Sequence, residues 1–279
     1  MPRAKTVEAS RLRRIEGRHN SLLKELRQAF HRGELTESGE CAVEGFRIIE
    51  EAIRSGLKLR ALFVNESARD RAARLLPQIG PHVETVLIPD KLFATVVPSD
   101  TPQGFAALVR VRPHNIGEIL DSSSHGPVLV IAGLQDPGNV GTILRSAEAF
   151  GGKSLLLGEG SASAYNSKVV RASAGSLFRV PFAKAELKTL LPVMRTRAIR
   201  LLATSSHKGT PLPDVDFSGH TAIFIGNEGA GIDKRLLSEM DELIMIPHSP
   251  RVESLNAGVA ASIVLYEAAR KNSSFAAGR

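Results

Sequence analysis

At 279 residues, with 43% apolar and 23% charged residues, the chain has an ordinary globular composition and length enough for two domains. It holds no apolar run long enough to cross a bilayer, and its N-terminus, MPRAKTVEAS, lacks the apolar core of a secretory signal. A single cysteine, Cys41, excludes a disulfide framework and a cysteine metal site, and these features together favour a cytoplasmic protein.

The net charge of +7 is concentrated at the start. Residues 1–35 carry nine Lys/Arg against four Glu, a local excess of +5. Such a cluster suits a polyanion surface, because each phosphate neutralised releases counterions; a solvated basic helix explains it equally well. With no Trp and two Tyr, phosphate and shape contacts are expected rather than a base-stacking platform. Residues 8–32 space Leu12, Ile15, Leu22, Leu23, Leu26 and Phe30 for one or two amphipathic helices, interrupted near Gly17. Residues 1–32 are thus expected to form a basic helical extension.

Strands are expected at Cys41–Val43, Leu59–Val64, Val83–Ile88 and Gly104–Val111, with helices over Gly45–Ser55 and Ala68–Leu76. This alternation predicts a small α/β domain over 33–111. Residues 112–126 (RPHNIGEILDSSSHG) lose apolar periodicity and are expected to be a linker enclosing one helical turn. From Pro127 to the end, apolar strands alternate with helices, predicting a parallel sheet covered on both faces. The strands are 127–134, Ser154–Leu157, Leu177–Val180, Ile199–Thr204, Ala222–Gly226 and Glu242–Ile246. The helices are Asn139–Phe150, Asn166–Gly175, Leu187–Arg197, Asp233–Met240 and Asn256–Lys271.

Ligands of open parallel sheets bind beyond the strand C-termini. Three segments there are rich in glycine and polar residues: 134–145 (LQDPGNVGTILR), 226–231 (GNEGAG) and 246–256 (IPHSPRVESLN). In the first, Asn139 or Thr142 can cap a helix whose free amides face the crevice, with Arg145 on the same helix. A plain capped helix with a surface arginine fits that spacing too. The second is G-x-x-G-x-G, not the dinucleotide fingerprint G-x-G-x-x-G, and glycine in a turn is weak evidence alone. In the third, Ser254 or Asn256 can cap the last helix, or the loop can hold an adenosine with Leu255 as an apolar face. His248 lies in this loop, but the histidines lack zinc-site spacing, and no metal is expected.

At 135–151 (QDPGNVGTILRSAEAFG), 223–231 (IFIGNEGAG) and 246–260 (IPHSPRVESLNAGVA) the chain resembles the SpoU/TrmH family of RNA ribose 2′-O-methyltransferases, within the SPOUT class. The three matches fall in order across nearly all of 127–271. Upstream, VEGFRIIEEAIRSG and QGFAALV (103–109) resemble the small substrate-binding domain that often precedes this catalytic domain. The resemblance implies a deep trefoil knot in a C-terminal α/β domain over 127–279, a homodimer, and S-adenosylmethionine as methyl donor. It also implies donor-binding roles for Gly226, Asn227, Ile246 and Leu255, with Gly229, Pro247 and Asn256 shaping the loops. Arg145 matches the arginine placed on the ribose hydroxyl, and Asn139, Glu228 and Ser254 are the other polar catalytic candidates. Ala257-Gly258 departs from the Val-Ser of many members, and the glycine is expected to loosen the start of the last helix.

A guanidinium is a poor base, which leaves Arg145 two roles: deprotonation only with help from substrate phosphate, or, as is favoured here, holding the phosphate and stabilising developing negative charge. Ribosomal RNA of the large subunit is favoured over tRNA as substrate. A non-catalytic RNA-binding relative is disfavoured by the intact Gly226, Glu228, Ser254 and Asn256, and a nucleotide-dependent oxidoreductase by the missing fingerprint.

Overall fold

The computed structural model describes residues 12–121 and 126–272, which divide into two compact units. One holds the described residues up to Arg112 together with Tyr165–Phe178. The other holds the described residues of Pro113–Ala164 and those from Arg179 onward.

The first unit is built on a five-stranded mixed sheet of β1 (Arg13–Arg14), β2 (Glu40–Glu44), β3 (Lys58–Asn65), β4 (Glu84–Ile88) and β5 (Phe105–Arg110). The order is β1-β4-β3-β5-β2, with β1, β4 and β3 parallel and β5 antiparallel to both neighbours. Its helices include α1 (Ser21–Arg32), α2 (Phe46–Arg54) and the short α3 (Arg69–Ala72) and α4 (Asp90–Ala94). The Asn20 side chain caps α1 by accepting from the amides of Leu22 and Leu23, and Gly33 ends it at φ 62°. Leu22, Leu23, Leu26, Ala29 and Phe30 are buried with Phe63, Val86, Ile88 and Leu108, so α1 is part of this core.

Of the one or two helices expected over 8–32, the described residues hold one, which starts at Ser21. Arg13–Arg14 instead run beside β4, and the amide of Ile15 donates to Leu87 O at 2.9 Å, which pairs an otherwise open edge. Residues 8–11 lie outside the described residues. Arg13 pairs with Glu84, and Arg14 with Glu16 at 3.0 Å and Glu66 at 2.6 Å, so these two basic residues are engaged internally. The expected helix 68–76 is broken into 3-10 turns at Glu66–Ala68 and Leu76–Gln78 around α3. Cys41 is wholly buried, and burial pushes its thiol up to about 12, leaving it inert.

The second unit opens with α5 (Ile116–Asp121) and carries a seven-stranded, all-parallel sheet. In chain order come β6 (Val128–Ala132), α6 (Pro137–Ala149), β7 (Ser154–Leu157), α7 (Ser167–Ala172, which packs in the first unit), β8 (Phe182–Lys184) and α8 (Leu187–Thr196). Then follow β9 (Arg200–Ser205), β10 (Thr210–Pro211), β11 (Thr221–Gly226), α9 (Lys234–Leu237), β12 (Glu242–Met245) and α10 (Ala257–Lys271). The sheet order is β10-β12-β9-β11-β6-β7-β8. Leu129, Val130, Ile131, Ile223 and Phe224 are all fully buried, as continuous apolar strands covered on both faces require.

The strand expected at Leu177–Val180 is a 3-10 turn, Ser176–Phe178; β8 begins after Pro181. Gly175 turns the chain at φ 96°, and Phe178 donates back to Gly175 O, so its amide is used locally.

Candidate active site at the strand ends

β9, β11 and β6 are adjacent in the sheet, and β12 flanks β9, so the loops after these strands meet at one edge. The cleft there is lined by Thr204, Ser205 and Ser206 at the end of β9, and by Ile225, Gly226, Asn227, Glu228 and Gly231 from β11 and its loop. Ile244, Ile246, His248, Ser254, Leu255, Ala257 and Ala260 complete it. Its cavity volume is about 90 Å³.

The loop 226–231 is held by one side chain. Asn227 Nδ2 donates to Gly133 O at 2.9 Å, while its Oδ1 accepts from the amides of Gly229 at 2.9 Å and Ala230 at 3.1 Å. Its backbone exchanges two further bonds with Gly231. Gly226 admits no side chain, since a Cβ would lie 2.6 Å from the Gly231 carbonyl carbon and 2.7 Å from Ile232 Cγ1. Gly133, the end of this bridge, also donates its amide to Ser161 Oγ at 3.2 Å.

α6 starts with Asp136, whose carboxylate accepts from the Gly138 amide at 3.1 Å, and with Pro137 in its first turn. Asn139 is therefore not the cap. It is 6% exposed, and its Nδ2 donates to Glu228 Oε1 at 2.6 Å, fixing a carboxylate of the cleft wall. Arg145 lies on the exposed side of α6 and has no ion pair or hydrogen bond among the described residues. Arg179, Arg195, Arg197 and Arg200 in the same unit are all paired.

Asn256 caps α10 by accepting from the Val259 amide at 3.1 Å, which leaves Ser254 free to line the cleft. Gly258 does not loosen this helix. A Cβ there would come 3.0 Å from Asn139 Oδ1 and 3.2 Å from Thr142 Cβ, so the glycine admits α6 at close range. Ser146 and Ser262, 2.6 Å apart through their hydroxyls, continue this small-residue seam. His248 Nδ1 bonds Ile246 O at 2.7 Å, and since a carbonyl only accepts, Nδ1 carries the proton.

Of the residues expected to hold a donor, Gly226, Asn227, Ile246 and Leu255 line the cleft, whereas Gly229, Pro247 and Asn256 lie outside its lining. Of the catalytic candidates, Glu228 and Ser254 line it, Asn139 stands behind Glu228, and Arg145 is outside the lining.

A family model described as the SpoU rRNA Methylase family matches residues 126–266, and an MRM3-like substrate binding domain matches 20–107. The chain belongs to the SpoU rRNA methylase family. It is 30% identical over 278 residues to the 23S rRNA (uridine(2479)-2′-O)-methyltransferase of Streptomyces viridochromogenes, covering 97% of this chain and 96% of that one. It is 29% identical over 255 residues to the 23S rRNA (guanosine(2553)-2′-O)-methyltransferase RlmP of Bacillus subtilis, covering 91% and 98%. The crystal structure of the SpoU methyltransferase AviRb from Streptomyces viridochromogenes, in complex with the cofactor AdoMet, superposes with a TM-score of 0.80. It is 28% identical and covers 92% of this chain and 99% of that one.

The cleft of this SpoU methylase fits an adenosyl sulfonium on its own chemistry. Ile225, Ile244, Ile246, Leu255, Ala257 and Ala260 give an apolar wall, and the Glu228 carboxylate complements a cation. Sequence reasoning missed Thr204–Ser206, Ile225, Ile244, Ala257 and Ala260. The abrupt change from apolar to hydroxyl residues in LLATSS was the available signal, but only the strand order places it beside the glycine loop.

Proposed function

We propose that this chain transfers the methyl group of S-adenosylmethionine to a ribose 2′-hydroxyl of 23S rRNA. The observation that carries this is the cleft wall formed by Glu228, oriented by buried Asn139, on the helix that presents an unpartnered Arg145. The two rRNA-methylating relatives, matched along nearly their whole length, favour rRNA over tRNA.

Gly226, Asn227, Ile246 and Leu255 hold the donor, with Gly229, Pro247 and Asn256 keeping the loops in shape. When bound, S-adenosylmethionine supplies a methyl already activated on a sulfonium. The protein's task is then to position the ribose, a contribution large enough to carry much of the rate. Arg145 grips the adjoining phosphate and stabilises charge on the ribose oxygen as its proton passes to solvent water. Glu228 and Ser254 fix the geometry at the cleft mouth.

The rest of the reading has separate supports. Val259, Ile263 and Tyr266 recur along one face of α10 at 47%, 36% and 49% exposure, and a second copy of the chain is their natural cover. The expected knot accords with the meeting of three long-separated loops at adjacent strand ends. In domain terms, 33–111 with α1 is the RNA-binding part, 112–126 the linker and 127–279, apart from the Tyr165–Phe178 segment that packs in the first unit, the methyltransferase. No helix among the described residues is long and apolar enough to cross a membrane.

The test is transfer of labelled methyl from S-adenosylmethionine to a 23S rRNA transcript, followed by alkaline hydrolysis. A ribose-methylated linkage resists alkali and marks the modified position. Label confined to a base, or accepted by tRNA and not by 23S rRNA, overturns the reading.

A further inference from the structure

The substrate-binding unit contains a second cleft, of about 600 Å³, at the start of α2 and beneath the 99–103 loop. Glu44, Arg47, Glu50, Ser99, Gln103 and Arg171 supply its chemistry. One wall is fixed. The Glu44 side chain is 4% exposed, accepts from Ser99 Oγ at 2.8 Å and lies 3.7 Å from Arg171 Nη1, which itself donates to Ser99 Oγ at 3.2 Å. Arg54, also in the lining, is neutralised by Glu51 at 3.0 Å. The side chains of Arg47, Glu50 and Gln103 have no hydrogen bond or ion pair among the described residues.

The charges decide what such a cleft takes. Its acids and bases balance, and its carboxylates repel phosphate, so a phosphodiester gains little there. A nucleobase is neutral and carries donors and acceptors side by side on one edge, and single-stranded RNA presents such edges unpaired. A guanidinium, a carboxylate and an amide left free around a rigid wall offer matching donors and acceptors.

We propose that this cleft receives an unpaired nucleobase of the RNA substrate, read by Arg47, Glu50 and Gln103. The inference rests on the RNA-methylating reading and adds to it a specificity site on the substrate-binding unit. Arg171, which closes the wall, comes from the segment after β7, so the pocket is complete only when that segment is seated.

The full chain and its Arg47→Lys, Glu50→Gln and Gln103→Ala variants are compared on a 23S rRNA transcript and on a mixed-sequence single-stranded RNA 20-mer. The readouts are RNA KM, kcat, RNA affinity over a salt series, and calorimetric affinity for S-adenosylmethionine. Each variant should raise the transcript's KM and Kd by roughly fivefold or more. The salt slope, kcat and S-adenosylmethionine affinity should not change. Lysine should not rescue Arg47, because it lacks the planar fork. Tighter binding by Glu50→Gln together with full activity of Arg47→Lys would mark a phosphate contact and overturn the inference, as would no effect from any variant. Wild-type protein that binds RNA in a manner dependent on these residues, yet never methylates 23S rRNA, keeps this site and overturns the assigned reaction. Protein that binds neither RNA overturns both.

Discussion

Asn139 and Glu228, 89 positions apart in the chain, are joined by a 2.6 Å hydrogen bond from amide to carboxylate. Because Asn139 is buried and Glu228 faces the cleft, the bond links the interior of α6 to the proposed reaction site. Removing the donor with Asn139→Ala should lower kcat/KM by about 10- to 100-fold, the worth of a hydrogen bond to a charged group. Asn139→Asp should be worse at neutral pH, since it sets two carboxylates together, and should regain activity as pH falls and one of them takes up a proton. A pH–rate series on both variants checks this; equal profiles would remove the electrostatic account.

Arg145 should act after the donor is bound. Arg145→Ala is expected to reduce kcat by about 10²–10³-fold while leaving calorimetric S-adenosylmethionine affinity unchanged. Arg145→Lys should recover only a small part of the loss, because one ammonium cannot hold a phosphate bidentately. Full activity of the lysine enzyme would exclude that role.

Asn227 acts on the donor site through the backbone. Losing its three side-chain bonds in Asn227→Ala should weaken S-adenosylmethionine binding about tenfold or more. Asn227→Asp keeps the acceptor to Gly229 and Ala230 but loses the donor to Gly133, and should fall between. Calorimetry on the three proteins gives the order directly.

The apolar face of α10 gives a prediction about assembly. Ile263→Glu should turn a dimer into a monomer in sedimentation equilibrium, because a charge buried at a self-complementary face has no partner. An unchanged mass would move the interface elsewhere.

Glu40 sets an acid limit on the first unit. Burial pushes its carboxyl up, but the Thr36 hydroxyl and the Arg110 and Arg60 guanidiniums outweigh this and hold it below its ordinary 4.5. A depressed folded value means stability that is present above about pH 4.5 and is lost as pH falls through the folded value. Glu40→Gln should cost about 1–3 kcal/mol at neutral pH, less than a fully buried pair would, because the Arg60 and Arg110 side chains are 38% and 62% exposed. Urea midpoints from pH 7 to 3 should show the variant and wild type converging as the pH drops.

Much of this protein was readable before any coordinates. The buried strands at 128–132 and 221–226 announce themselves as unbroken apolar runs, and the glycine loops follow them directly. What the sequence withheld depends on distant partners. Arg13–Arg14 has helical neighbours in composition and becomes a strand only because β4 offers an edge. Thr204–Ser206 reaches the cleft because β9 is inserted between β11 and β12, an order no local pattern encodes. Asn139 looks like a cap until Asp136 takes that place and turns it toward Glu228. Gly258 reads as a weak point in a helix, and only the nearness of α6 reveals it as a fit.

The position of Ala257 and Ala260 in the cleft wall bears on how the protein matures. These residues belong to α10, which is also clasped to α6 along the Gly258 and Ser262 seam. During synthesis every strand of the sheet leaves the ribosome before they do. A nascent chain halted ahead of residue 257 can carry a nearly finished sheet and still have no closed place for the methyl donor. Competence for chemistry is therefore acquired only after the whole sheet has been made.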